Sequence, residues 1–564
     1  MQQTYEVTKD AAHVFYVAPD GKTDAAGTSV DSPTSLESAI EHVVTGDAII
    51  LRGGTYRTGG LTLNQQITIQ PYKDERPILK GTKISTDWEN LRDGQWRTKW
   101  ATLFPSAPQD WWRREREAAR TPLYKFNNDL VFADGKRLHP VGWAGDVKED
   151  TYWVDYEKGY VYIGTDPAKK QIEVTAFDSA LIQSIAKVHN REPDHKGSTI
   201  RGITFTQYAY RALEIQGKDP EGVSPEAEHG TDIVGAVFEN CTISQCSRVA
   251  GYFRGNHLTI RHCLVSDTGT EGIYVLGSND ILLERNIVTR NNVENITGYY
   301  ASAVKIFNQC YRANCRENLI IDNGNGSCGV WYDVGEVNGI FVNNWVERTD
   351  NGFFFEISKG ATCSGNVFVD CGTGIKILNS RDVHVYQNTL VNSTLWIERS
   401  PRSAANDHFG WHPATGPDVG EREGHVVVGN LLTGNEAFNR PLLVFAQSAA
   451  LREQLTKPQV STLDYNVYVS RGTPSEKLTS VYNTPTDFTT PEQLQAADSK
   501  FEAHSRTYKD YFGPVFQGEQ LSRFELLREF PGADSSAPLP SDVVKPLGWP
   551  GEKATFPGAF PVAK

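Results

Sequence analysis

The sequence predicts an all-β chain wound as a right-handed parallel β-helix, a solenoid, with an antiparallel β-sandwich inserted near its start. Three observations carry that prediction. An Asn, or twice a Cys, recurs just before a short apolar pair: Cys241-Thr-Ile, Cys263-Leu-Val, Asn286-Ile-Val, Asn318-Leu-Ile, Asn344-Trp-Val, Asn366-Val-Phe, Asn388-Thr-Leu, Asn430-Leu-Leu and Asn466-Val-Tyr. The spacings are 22, 23, 32, 26, 22, 22, 42 and 36 residues. A fixed period with β-rich runs and no helical periodicity is the mark of a solenoid, and the longer gaps are coils carrying outward loops. The third observation is a family of strand runs that begin on Gly or Ala: Gly272-Ile-Tyr-Val-Leu, Ala303-Val-Lys-Ile-Phe, Gly329-Val-Trp-Tyr-Asp, Gly352-Phe-Phe-Phe-Glu and Gly374-Ile-Lys-Ile-Leu.

The chain divides into four stretches. Residues 1–87 read as an N-terminal cap and the first coils. Phe15-Tyr-Val is a strand, and Ser35-Leu-Glu-Ser-Ala-Ile-Glu-His-Val is a short helix with Ser35 as its N-cap. A helix over the open end blocks edge pairing by the first coil. Coils follow at Leu61-Thr-Leu, Ile67-Thr-Ile and Ile78-Leu-Lys-Gly. Residues 88–180 lapse from the repeat and read as the inserted sandwich. Tyr152-Trp-Val-Asp-Tyr-Glu-Lys-Gly-Tyr-Val-Tyr-Ile is two strands around a turn, and Val131 to Leu138 holds another hairpin. Residues 181–470 form the main solenoid, and 471–564 a Pro-rich, irregular tail that packs along it. In the turns, Asn suits the left-handed backbone region, and stacked copies would form an amide ladder.

Composition narrows the function. The chain has 564 residues, 39% apolar and 11% aromatic, which fits a folded protein. Its net charge of −13 argues against nucleic acid or an anionic membrane surface as partner. No apolar run reaches membrane-spanning length. The start Met1-Gln-Gln-Thr has no leader-like run, so the expectation is a mature secreted or periplasmic chain, with a cytoplasmic one as the alternative. The eight Cys match no zinc spacing, and Cys241 and Cys263 sit at ladder positions, so buried stacking is expected rather than disulfides or metal ligation. No cofactor is required by any motif, and a structural calcium is left open.

The chemistry is expected in the strand runs. Side chains alternate between the two faces of a strand. With Val330, Tyr332, Phe353 and Phe355 inward, the outward set is Tyr274, Lys305, Trp331, Phe354 and Lys376, then Leu276, Phe307, Asp333, Glu356 and Leu378. Asp333 and Glu356 therefore share one outward column on adjacent coils. Strands in a sheet lie about 4.8 Å apart, so the two carboxyls would be close to the 5–5.5 Å of a retaining glycosidase rather than the 6.5–9.5 Å of an inverting one. Lys305, one coil earlier, supplies a cation beside Asp333, the expected nucleophile. Desolvation beside Phe354 favours a protonated Glu356, the expected acid/base. Trp331 and Tyr274 offer flat faces to sugar rings. The loop 393–425 holds Asp407-His-Phe-Gly-Trp-His-Pro, and His412 or Trp411 could line a pocket beside the carboxylates.

Val-Trp-Tyr-Asp-Val at 330–334 and Phe-Phe-Glu-Ile-Ser-Lys-Gly at 354–360 resemble the Leu-Trp-Leu-Asp and Val-Glu-Val-Ser-His-Gly motifs of the β-helix β-xylosidases, glycoside hydrolase family 120. Family 141, with fucosidase and xylanase activities, looks similar too. The run Ala303-Val-Lys-Ile-Phe resembles the family's Gly-Ile-Lys-Leu-His segment, and the cap, the insertion and the closing Gly558-Ala-Phe-Pro extend the likeness over most of the chain. The resemblance implies a retaining exo-glycosidase with Asp333 as nucleophile and Glu356 as acid/base, acting on terminal sugars of plant-type polysaccharide or oligosaccharide. It allows a homo-oligomer. It also implies sugar contacts from a Trp of the insertion, here Trp111 or Trp112. The family's His-Glu pair before the Lys segment is matched by Tyr299-Tyr300, so the terminal-sugar contacts differ from those of the xylosidases.

Two other readings remain. One is a β-helix polysaccharide lyase with Lys305 as base. Against it, no cluster of three or more outward acids suited to calcium surrounds Lys305. The other is a non-catalytic glycan-binding solenoid.

Overall fold

A computed structural model describes residues 3–7, 9–108, 121–219, 226–296, 301–324, 326–402, 416–471, 479–481, 488–518, 521 and 524–563. Among them, three long parallel sheets hold 13, 12 and 13 strands. Successive strands of each sheet come from successive coils, the topology of a right-handed parallel β-helix. One apolar core fills the interior from Val17 to Phe501. The helix Leu36–His42 lies at its N-terminal end, and the Ser35 side chain accepts from the Ser38 N–H at 3.2 Å. No helix among the described residues is long and apolar enough to cross a membrane.

The recurring Asn residues build the ladder that their spacing predicts. Asn286 donates its side-chain amide to Asn318 at 3.0 Å, and Asn318 to Asn344 at 3.0 Å. Asn344 donates to Asn366 at 3.1 Å, and Asn366 to Asn388 at 2.9 Å. The run continues from Asn388 to Asn430 and on to Asn466. The backbone expectation needs correction. The left-handed residue of each turn is the one before the ladder Asn: Arg285, Glu317, Asn343, Gly365, Gln387, Gly429 and Tyr465 all have positive φ, and the ladder Asn residues do not. The bend comes first; the amide then turns inward and satisfies backbone groups that the bend would leave buried and unpaired. Asn344, for example, also donates to the Cys315 carbonyl at 2.9 Å. All eight Cys are buried and free of disulfides.

An additional antiparallel unit interrupts the coils. Thr82–Ile84, Val131–Ala133, Lys136–Arg137 and Ile172–Thr175 make one small sheet. Trp96–Lys99, Thr151–Asp155 and Tyr160–Ile163 are the centre of a second. Val131, Tyr152, Val161 and Val174 share its own core. The unit is tied to the coils at Glu294: the Arg137 guanidinium pairs with its carboxylate at 3.0 Å, and the Lys125 ammonium donates to its carbonyl at 2.9 Å.

The tail is more ordered than its composition predicts. It carries the helices Pro491–Ala497 and Ser541–Leu547. Its strand Arg506–Tyr508 pairs in parallel with Val467–Ser470 and so extends a solenoid sheet. Val515, Phe516 and Phe524 then pack on Trp345 and Val367, burying an outer apolar face of the coils.

Candidate active site

The site is built on the 12-stranded sheet, from neighbouring parallel strands Ile273–Leu276, Ser302–Phe307, Cys328–Asp333, Asn351–Glu356, Thr373–Leu378 and Thr394–Arg399. Each strand starts where the chain turns a tight corner. A Cβ at Gly329 would lie 2.5 Å from the Gly352 carbonyl oxygen, and one at Gly352 equally close to that of Gly374. Glycine lets the coils approach so closely at these two positions, while the run before them has Ala303 in the matching place.

Register then sets the chemistry. Tyr274 lies beside Lys305, Lys305 beside Trp331, and Trp331 beside Phe354. One outward step on, Phe307 lies beside Asp333 and Asp333 beside Glu356. The two strands that carry the carboxyls lie about 4.8 Å apart. The Lys305 ammonium pairs with Asp333 Oδ2 at 3.0 Å and sits 4.0 Å from the centre of the Trp331 ring. Arg402 donates from Nη1 to Glu356 Oε1. The line therefore runs Lys305, Asp333, Glu356, Arg402, with each carboxylate held by its own cation.

The pair is buried. Asp333 is 5% exposed and Glu356 4%. Burial, with the Asp333 charge beside it, pushes the Glu356 carboxyl up to about 7, against the opposing pull of Arg402. A carboxyl that titrates there can give and take a proton near neutral pH.

The backbone behind the carboxylates is strained. The residue after each outward column is left-handed: Gly277, Asn308, Val334, Ile357 and Asn379. Gly and Asn tolerate that region. Val334 and Ile357, at φ 49° and 47°, are β-branched residues for which it is a real outlier, costing on the order of 1–3 kcal/mol each. Both are buried with Leu276 and Phe307 in one apolar pad. Among the described residues Val334 and Ile357 are the β-branched residues at positive φ, and they follow directly on Asp333 and Glu356.

Of the residues singled out in the sequence, Asp333, Glu356, Lys305, Trp331 and Tyr274 come together. Trp331 is used differently from the expectation. It is 6% exposed, with Phe354 stacked on it at 5.0 Å and 19° from the following coil and Lys305 over it from the preceding one. Its faces hold the Lys305 ammonium in place rather than offering a platform to sugar. Tyr274 keeps partial exposure and packs edge-on against Tyr252 at 5.1 Å. Tyr299, Tyr300, Trp112 and His412, with Trp111 and Trp411, lie outside the described residues. Among the described residues no group of three or more His, Cys, Asp or Glu is placed to hold a metal ion.

Sequence reasoning passed over Arg402, which enters from the start of the long loop and carries no motif. It also passed over Glu336, a fully buried carboxyl three residues after Asp333. Burial, together with the Asp333 charge, holds its proton well above the usual carboxylate range.

Residues 194–337 and 235–390 match a family model described as a right-handed β-helix region. Among solved structures, XylC in complex with xylose is similar in fold, with a TM-score of 0.58 and 15% identity over 90% of this chain and 88% of that one. Pectate lyase Pel9A aligns at a TM-score of 0.41 and 12% identity, over 98% of this chain and 97% of that one. A lacto-N-biosidase of family GH136 from Eubacterium ramulus aligns at 0.38 and 13%, over 67% and 64%. Among curated proteins, pectate lyase PEL9 of Emericella nidulans is 39% identical over 81 residues, 12% of this chain. That match spans 19% of the lyase's own length. The fold is thus a right-handed β-helix, shared with XylC.

Proposed function

We propose that this protein is a retaining, exo-acting glycoside hydrolase that removes a terminal sugar of the xylose or fucose type from plant-type polysaccharide or oligosaccharide. One observation carries the reading: Asp333 and Glu356 face each other in register on adjacent strands, in a buried setting that gives them different partners. The spacing of neighbouring strands, about 4.8 Å, matches the 5–5.5 Å that a double displacement needs.

In the first step, an Asp333 oxygen attacks the anomeric carbon. The bond from that carbon to the leaving oxygen breaks, and the Glu356 proton passes to that oxygen. The glycosyl group is then an ester of Asp333. In the second step the Glu356 carboxylate takes a proton from water, the water oxygen attacks the anomeric carbon, and the Asp333 carboxylate departs. Two inversions give net retention. Lys305 holds Asp333 in line through its 3.0 Å ion pair. Arg402 stabilises Glu356 as the carboxylate, the form that activates water. A substrate too large to cross a membrane fits a secreted or periplasmic enzyme.

The test is hydrolysis of aryl glycosides of xylose, fucose, arabinose and galactose in both anomers, by wild type and Glu356→Gln. The anomer first released is read by proton NMR. Turnover by wild type with retained configuration is expected; an inverted product refutes the double displacement.

A second reading, a lyase with Lys305 as the proton-abstracting base, is favoured by the 81-residue likeness to a pectate lyase. It predicts an unsaturated product that absorbs in the ultraviolet. Accumulation of that product from pectate, without release of reducing sugar from the aryl glycosides, selects it.

A further inference from the structure

We propose that Lys376, Trp396 and Glu398 form a second sugar-binding subsite, on the leaving-group side of the carboxylate pair, for an oligosaccharide laid along the solenoid axis. The inference rests on the glycosidase reading for its direction and on separate residues for its substance.

The cluster repeats the geometry of Lys305, Trp331 and Asp333. Lys376 lies beside Trp396 on the next strand, as Lys305 lies beside Trp331. The Lys376 ammonium sits 4.4 Å from the centre of the Trp396 ring and 2.7 Å from Glu398 Oε2. Glu398 also accepts from the Trp396 indole N–H at 3.1 Å. The cluster occupies the same two outward columns of the same sheet, three strands further on.

Its surroundings differ in a way that suits binding. Trp331 is stacked under Phe354, whereas Trp396 has only Val444 beside it on the following strand. Trp396, Lys376 and Glu398 are all partly exposed. A partly exposed indole, flanked by an ammonium and a carboxylate, presents what a pyranose needs: a surface for its C–H groups, and donors and acceptors for its hydroxyls. A purely structural ion pair would bind nothing and would not care about chain length.

Direction follows from the acid. Glu356 protonates the leaving oxygen, so the departing sugar lies on its side of Asp333. Beyond Glu356 the outward column continues with Leu378 and then Glu398. Trp396 is two strands past Glu356, about 10 Å, a reach that a disaccharide leaving group spans. Partly exposed Leu378 lies between as an apolar floor.

The experiment uses the full chain. Xylotriose, arabinotriose and galactotriose, with their monosaccharides, are titrated calorimetrically into Glu356→Gln protein and into the same protein carrying Trp396→Ala. We expect at least one trisaccharide to bind, and Trp396→Ala to weaken it about tenfold or more while the monosaccharide changes far less. Trp396→Phe, which keeps a ring, restores most of the affinity and separates stacking from a folding defect. Equal trisaccharide affinity in all three proteins, or binding of no trisaccharide, overturns the subsite. Kinetics separate it from the glycosidase reading. Wild type that turns over no glycoside, yet loses trisaccharide binding with Trp396→Ala, sinks hydrolysis and keeps the subsite. Turnover whose preference for trisaccharide over aryl glycoside is unmoved by Trp396→Ala does the reverse.

Discussion

Two clusters on one sheet have the same parts and the same register: Lys305, Trp331 and Asp333, and three strands later Lys376, Trp396 and Glu398. Each holds an ammonium between an indole face and a carboxylate. What differs is the next coil. After the first cluster it brings Phe354 and Glu356; after the second, Val444 and Ala446. The first carboxylate side chain is 6% exposed, the second 29%. A motif on one strand therefore fixes a contact, and the neighbouring strand decides its chemistry. One neighbour adds a second carboxyl and removes water. The other adds no second carboxyl and leaves the acid partly exposed.

The largest effects should separate the two carboxylates. Asp333→Asn removes the proposed nucleophile and is expected to lower kcat on the best aryl glycoside by on the order of 10⁴-fold or more, whereas Glu398→Gln should cost less than about tenfold. Comparable losses from the two variants would erase the distinction. Next comes the partner that only the first cluster has. Glu356→Gln should lower kcat/KM by about 10²–10⁴-fold for a poor leaving group. The loss should shrink as the leaving group becomes more acidic, because less proton donation is then needed.

Stability should also discriminate. Lys305→Met strands a buried carboxylate beside another and is expected to destabilise by about 3 kcal/mol. Lys376→Met breaks a partly solvated pair and should cost under about 1 kcal/mol. Urea denaturation monitored by circular dichroism measures both, and equal costs would mean that burial is not what sets the clusters apart.

The smallest effect is in pH. Glu356 must be protonated for the first step, so kcat/KM should fall on the alkaline side with an apparent pKa of about 7. Arg402 pulls that carboxyl down, so Arg402→Met should move the alkaline limb to higher pH. An unmoved limb would remove Arg402 from the acid's surroundings.

Much of this was legible before any coordinates. The Asn-apolar pairs gave the coil, because a solenoid must solve the same buried-turn problem on every lap. The Gly-led runs gave the faces, because alternation is fixed by the strand backbone. Together they put Asp333 and Glu356 in one column. The second cluster had a signal too: Leu395-Trp-Ile-Glu398 follows the pattern of Val330-Trp-Tyr-Asp333, and Lys376 precedes it as Lys305 does the other. Arg402 had none, since a loop residue has no period to betray where its side chain lands. Nor did the strain at Val334 and Ile357, which are ordinary strand formers by composition and sit left-handed only because their coils hold them there.

The sequence by itself determined the coil, its inward and outward columns and the pairing of the two carboxylates, since these depend on periods of the backbone that every lap repeats. Tertiary structure alone decided that Trp331 is a covered support, that Arg402 meets Glu356, and that one of two like clusters is sealed while the other stays open. Those outcomes depend on which loop or neighbouring coil covers a given spot, and burial, which sets proton affinity and binding alike, is a property of that cover and not of the strand beneath it.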